Sequence, residues 1–265
     1  MPSDTDHGVP PVSNWLQNGF HRFLNFYLRR HFHTIAIDRE SRCDADIDPD
    51  LPLIVYGNHP SWWDPLLAHY LNRVLFPQRQ FYAPIDAVAI QQYKVFAKLG
   101  FYGVEMNAKS GAVSFLKQST AILNAGDTAI WMTPEGRFAD VRDHTATLMP
   151  GLAHLCSKMD RGYVMPIVLE YSFWEERLPE CLVRMGPPVD VSQAFTKTEW
   201  ADKLETQLRS TQTELARQVT ERNAVPFQNL LSGKRGAGGL YDFFRRAKSL
   251  VTGKRFRASH GDKFE

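Results

Sequence analysis

The chain has 265 residues, of which 43% are hydrophobic and 23% charged, the balance of a globular protein with enough apolar residues for one substantial core. Three cysteines, Cys43, Cys156 and Cys181, are an odd number with no metal-ligand spacing, and they read as reduced thiols of a cytosolic protein, not as a disulfide framework. The formal net charge is only +2, but residues 234–257 hold eight Lys or Arg and one acid, Asp242, so the rest of the chain is mildly acidic.

Residues 1–13 are polar and proline-containing and are expected to be disordered. The N-terminus has no basic segment followed by an apolar core, so no signal peptide is expected. An amphipathic helix is predicted over 14–33, where Leu16, Phe20, Phe23, Leu24 and Tyr27 recur at helical spacing among His21, Arg22, Arg29 and Arg30. That pattern fits a membrane-surface helix and a helix packed on a core equally well. Apolar runs rich in branched or aromatic residues then predict strands near 34–38, 52–57, 101–105, 128–132, 163–170 and 181–186. Helical patterns fall between several of them, near 64–76, 86–98, 110–125, 148–160 and 197–221. Strands alternating with helices define an α/β fold class, a single domain over 34–225 with a mostly parallel central sheet flanked by helices. Such a sheet places its site in the loops at the carboxyl ends of its strands.

Residues 226–265 read as a linker and a basic tail. The glycines of 232–239 mark a flexible connection, and Leu240, Phe243, Phe244, Ala247, Leu250 and Val251 then form a helical stripe flanked by Arg245, Arg246 and Lys248. This fits an interfacial membrane helix, with a helix docked on its own domain as the alternative; the intervening linker favours the membrane. No apolar run reaches the length that crosses a bilayer, so contact with lipid is expected from the side, on the cytoplasmic membrane face. No glycine-rich nucleotide loop is present, and no nucleic-acid partner is expected.

Chemistry concentrates in Asn58-His59-Pro60-Ser61-Trp62-Trp63-Asp64-Pro65, directly after a predicted strand. Pro65 suits the first turn of a helix, which makes Asp64 a natural N-cap. Across the loop, the Asp64 carboxylate can meet one His59 nitrogen and leave the other free as a base, because a carboxylate on an imidazole N–H fixes the tautomer. A second signal, Thr133-Pro134-Glu135-Gly136-Arg137-Phe138, follows another predicted strand. Gly136 allows close approach of backbone to a ligand and its amide can face oxyanion charge, while Arg137 offers a forked donor for phosphate or carboxylate. Trp62 and Trp63 are assigned no catalytic role, and His69, His144 and His154 read as structural or solvated.

Together these residues resemble the glycerolipid acyltransferase family, which includes the 1-acylglycerol-3-phosphate and glycerol-3-phosphate acyltransferases. Asn58, His59 and Asp64 match the family's Asn-His-x4-Asp block; Glu135, Gly136 and, after a skipped residue, Arg137 match its Pro-Glu-Gly block. Val164-Met165-Pro166-Ile167-Val168 matches its apolar stretch around a proline, and the likeness covers roughly residues 50–190. In the family's second motif, Glu105 stands for an acidic residue, but Met106 occupies the position of an arginine implicated in holding the acceptor's phosphate. That departure argues against lysophosphatidic acid as acceptor unless Arg137, Lys109 or Arg142 compensates.

The resemblance implies direct transfer of an acyl group from acyl-CoA or acyl carrier protein to the hydroxyl of a lysophospholipid-type acceptor. His59 and Asp64 would be catalytic, with Asn58, Glu135, Gly136 and Arg137 binding substrate, and no metal or cofactor is expected. A non-phosphate lipid alcohol is the alternative acceptor. A serine hydrolase built on Ser61 lacks the Gly-x-Ser-x-Gly elbow, and a non-catalytic lipid-binding protein is the remaining rival.

Overall fold

The computed structural model describes residues 9–43, 47–105 and 108–234. In chain order these form α1 (Asn14–His31), β1 (Thr34–Asp38), β2 (Leu53–Tyr56), α2 (Asp64–Leu75), β3 (Gln80–Asp86), α3 (Ala87–Gln92), α4 (Val95–Lys98) and β4 (Phe101–Val104). There follow α5 (Lys109–Asn124), β5 (Thr128–Met132), α6 (Gly151–Cys156), β6 (Tyr163–Ser172), β7 (Glu180–Met185), β8 (Val189–Asp190), α7 (Lys197–Thr220) and β9 (Phe227–Ser232). The strands join in one sheet of order β4-β3-β5-β2-β6-β7-β1-β9, with β8 beside β6. Neighbours from β4 to β6 along this path run parallel, as do β1 and β7. The pairs β6–β7, β6–β8 and β1–β9 are antiparallel.

Strands β1, β2 and β5 are buried along their whole length, the expected state of sheet strands covered on both faces. Alternate residues serve alternate layers. Ile54, Tyr56 and Ile130 pack with Trp200, Leu204 and Leu208 of α7. Val55 and Trp131 pack with Leu24 and Leu28 of α1 and Leu67 and Leu71 of α2. Two long helices carry clear starts. Ser13 caps α1 through Leu16 N–H, and Thr196 with Glu199 forms a reciprocal capping box on α7.

The mostly parallel α/β fold is as the sequence predicts, with differences at its margins. Strands β3 and β9, and the two-residue β8, lie outside the strands that the sequence predicts. Strand β3 contains Pro84 and ends half-buried, which hides its period. Strand β9 mixes polar and apolar residues and pairs with β1 across a register shift at Ile35/Ala36, so the sheet continues past the expected domain end at 225. The helical pattern of 86–98 is broken at Tyr93-Lys94 into α3 and α4, and that of 148–160 shortens to α6. The expected disorder of 1–13 does not extend over 9–13: Val9 and Val12 pack on the core, and Ser13 N–H donates to the Lys98 carbonyl at 2.9 Å. Residues 1–8, Met106 and the basic tail from 235 onward lie outside the described residues.

Candidate active site

Because β2 and β5 are parallel neighbours, the loops that leave them open side by side at their carboxyl ends. Hydrogen bonds tie the two together: Gly57 N–H donates to the Met132 carbonyl at 3.0 Å and Ala139 N–H to the His59 carbonyl at 3.0 Å. Gly57 is required sterically, since a Cβ there would collide with the Ile167 carbonyl oxygen of β6. The next residue, Asn58, is buried, and its amide donates to the Leu169 carbonyl and accepts from the Leu169 N–H, each at 2.9 Å. The side chain expected to touch substrate thus continues the β2–β6 ladder by one rung.

His59 follows, with 18% of its side chain exposed and its ring against Phe138, centroids 4.3 Å apart. Its Nδ1 lies 2.6 Å from Oδ2 of Asp64. An ionised carboxylate only accepts, so Nδ1 donates in this contact, and in the neutral imidazole Nε2 then holds the lone pair. No hydrogen bond engages Nε2 among the described residues. Asp64 does not act as the N-cap that its position before Pro65 predicts: Trp63 occupies that place. The Asp64 carboxylate turns back into the loop, where Oδ2 also accepts from Ser61 N–H at 3.0 Å. Its other oxygen accepts from the Tyr171 hydroxyl at 2.5 Å. Burial pushes the Tyr171 phenol well above its ordinary pKa, and the neighbouring Asp64 adds to the rise, so it stays a neutral donor.

The second loop is built differently from expectation. Glu135 is buried and faces away from His59 toward α7, where Oε1 accepts from Arg209 at 2.7 Å. Arg209 also holds Gln212 and the Ala146 carbonyl, fixing both ends of the loop. Gly136 has φ +65° and its amide donates to the Thr133 carbonyl at 3.1 Å, closing a turn. Its glycine therefore serves turn geometry, and this amide is not free for an oxyanion. Arg137 is on the rim, 52% exposed, donating to Asp143 at 2.9 Å. Arg142 pairs with Asp140 through two bonds of 2.8 and 2.7 Å.

The structure thus brings His59 and Asp64 together, sets Asn58 and Glu135 beneath them as structural ties, and leaves Gly136 and Arg137 at the mouth. Sequence reasoning missed Phe138, Tyr171 and Arg209. Tyr171 sits 107 residues from Asp64, and Arg209 74 from Glu135, so no local pattern announces either. A cavity of about 230 Å³ lined by Pro52, Leu123, Leu155 and Arg161 lies at the opposite, amino ends of β2 and β6. Among the described residues no group of His, Cys, Asp and Glu is arranged to hold a metal ion.

A histidine–aspartate pair at the carboxyl end of a central strand in an open α/β sheet has the place and the geometry suited to general acid–base chemistry. Residues 41–170 match the model of the Acyltransferase family, a stretch that contains both loops, so this region is an acyltransferase domain. No curated protein matches it in sequence at a significant level. Among solved structures it is similar to the crystal structure of the 1-acyl-sn-glycerophosphate (LPA) acyltransferase PlsC from Thermotoga maritima. The TM-score is 0.54 with 16% identity, over 76% of this chain and 80% of that one. At that identity the likeness is one of fold.

Proposed function

We propose that this acyltransferase moves a fatty acyl group from acyl-CoA or acyl carrier protein to the hydroxyl of a lysophospholipid-type acceptor, with His59 as general base and Asp64 as its partner. The observation that carries this reading is the 2.6 Å contact between Asp64 and Nδ1, which leaves Nε2 as the basic atom at the mouth of the site. Nε2 takes the acceptor's hydroxyl proton as the oxygen attacks the thioester carbonyl. The tetrahedral intermediate then expels the thiolate, the C–S bond breaks, and His59 returns its proton to sulfur. Asp64 stabilises the imidazolium between these steps. With the Gly136 amide committed, the oxyanion falls to other main-chain amides of the same loop, such as that of Phe138, whose ring lies against His59.

The PlsC-like fold supports a lysophospholipid acceptor. An acceptor without phosphate is the second reading, and one observation favours it. Two of the three cations that could replace the arginine whose position Met106 occupies, Arg137 and Arg142, are each engaged with an aspartate. Access from a lipid surface is supported by the exposed aromatic rings of Trp15, Phe23 and Phe26 on α1 and of Trp62 and Phe138 at the site. No helix of the described residues is long and apolar enough to cross a membrane.

The test is transfer of labelled acyl groups, from each donor, into a total lipid extract. Replacing His59→Ala should lower turnover at least about 100-fold with the fold intact by circular dichroism. A variant that keeps most of its activity would remove His59 from the mechanism, and the head group of the labelled product decides between the two acceptors.

A further inference from the structure

Asp64 has two carboxylate oxygens, and His59 uses one. Oδ2 takes the imidazole N–H at 2.6 Å and the Ser61 N–H at 3.0 Å. Oδ1 takes the Tyr171 phenol at 2.5 Å, the short end of the range for a hydroxyl on an ionised acceptor. Tyr171 is delivered to that point by construction. Leu169, two residues earlier and on the same face of β6, is gripped at both main-chain groups by Asn58, the residue adjoining His59. Loop and strand are therefore locked in one register, with the phenol on the carboxylate. Its ring also rests against Phe32, centroids 6.0 Å apart. Cys181 pairs with Tyr171 across β6–β7 and is fully buried, so the wall behind Asp64 is otherwise poor in donors.

The physical consequence concerns how the carboxylate charge is shared. If Oδ1 had no donor, the charge of the buried Asp64 would fall on the Oδ2 side, on His59 and the Ser61 N–H, hold the imidazolium more tightly, and leave the carboxylate plane less firmly fixed. A neutral phenol on Oδ1 absorbs part of that charge and fixes the plane of the carboxylate. We infer that Tyr171 is a positioning residue of the reaction: by binding the far oxygen of Asp64 it orients the His59–Asp64 pair and keeps His59 from becoming too basic to release its proton. The inference rests on the reading of His59 as general base. The titratable groups that face Asp64 are His59 from the β2 loop, Tyr171 from β6 and Cys181 from β7. Phe138 adds an uncharged ring against His59. Glu170, on the alternate face of β6, answers to Arg142 and Asp140 instead.

The test follows the His59 imidazole by NMR in the full chain, labelled at histidine, with the resonance assigned by its loss in His59→Ala. Removing the phenol in Tyr171→Phe should raise the His59 pKa by about half to one pH unit, and the acid limb of kcat/KM should move with it. Incorporating 3-fluorotyrosine at position 171, a stronger donor of nearly the same size, should move both in the opposite direction. With Tyr171→Phe, kcat should fall about three- to tenfold and KM for donor and acceptor stay within about twofold. A merely structural role would not give opposite shifts from the two substitutions. Should Tyr171→Phe fail to fold, judged by thermal melting, the fluorotyrosine protein carries the test alone. A His59 titration unmoved in the folded variants overturns the inference. A wild type without transfer activity overturns the proposed function instead, and the titration still decides whether Tyr171 governs His59.

Discussion

Where β2 ends at Tyr56, its parallel ladder with β6 ends as well, and Leu169 would be left with a buried N–H and a buried C=O facing the loop. Asn58 supplies both a donor and an acceptor for them, which no aliphatic side chain can do. Asn58→Ala should therefore destabilise the protein by roughly 2–3 kcal/mol, because it strands two desolvated main-chain groups. Asn58→Asp should be at least as harmful, since it sets a carboxylate against the Leu169 carbonyl oxygen. Urea unfolding of the variants checks both, and a loss under 0.5 kcal/mol, within the scatter of ordinary surface changes, would show that water replaces the side chain without penalty. At this scale the sequence is informative about chemistry and silent about partners. The spacing of His59 and Asp64 predicts their meeting because both partners lie within one loop. The same reading places Asn58 and Glu135 on substrate, whereas their hydrogen bonds go to Leu169 and Arg209, 111 and 74 residues away.

Between elements, the long helix α7 matters to the site through a single side chain. Arg209 reaches from α7 to buried Glu135 and to the Ala146 carbonyl, so it braces the loop whose other members, Phe138 and Ala139, touch His59. Arg209→Met should cost about 3–5 kcal/mol, the penalty for leaving a buried carboxylate without its partner. The double change Glu135→Leu with Arg209→Met should recover most of it, since a packed apolar pair avoids both desolvation penalties. A double-mutant cycle by thermal or urea unfolding reads the coupling directly; strictly additive losses would mean that the ion pair does not brace the loop. The elements read most easily were those whose burial is uniform, such as β1 and β5, and the long capped helices α1 and α7. Those missed carry mixed signals: β3 tapers from buried to exposed and holds a proline, and β9 alternates poorly because its pairing with β1 slips by a residue. Neither irregularity is visible until the neighbouring strand is known.

On the whole molecule, α1 packs on the core, one of the two readings that its pattern left open, and it keeps a second apolar face outside. Leu24 and Leu28 are fully buried in the layer shared with α2, while Trp15 is 80% and Phe26 68% exposed beside Arg22, Arg29 and Arg30. From that outer face a chain of ring contacts runs to the site: Phe23 to Tyr27 at 5.3 Å, Tyr27 to Trp63 at 5.6 Å, and Trp63 to Trp62 at 4.5 Å. Exposed rings flanked by arginines are suited to seat in the interface of an anionic bilayer, and here one of them, Phe23, connects through Tyr27 and Trp63 to the loop that carries His59. A lipid acceptor drawn from that surface would meet the site without crossing bulk water. Replacing Trp15→Ser and Phe26→Ser together removes two large exposed apolar side chains and leaves the buried face of α1 unchanged. Association with anionic vesicles should weaken at least roughly 10-fold, with thermal stability unchanged and with turnover on detergent-dispersed acceptor preserved. Vesicle co-sedimentation alongside both assays separates the possibilities. Equal loss of turnover in detergent and on vesicles would place these rings in the acyl-binding path, and undiminished vesicle binding would assign the surface to some face other than α1.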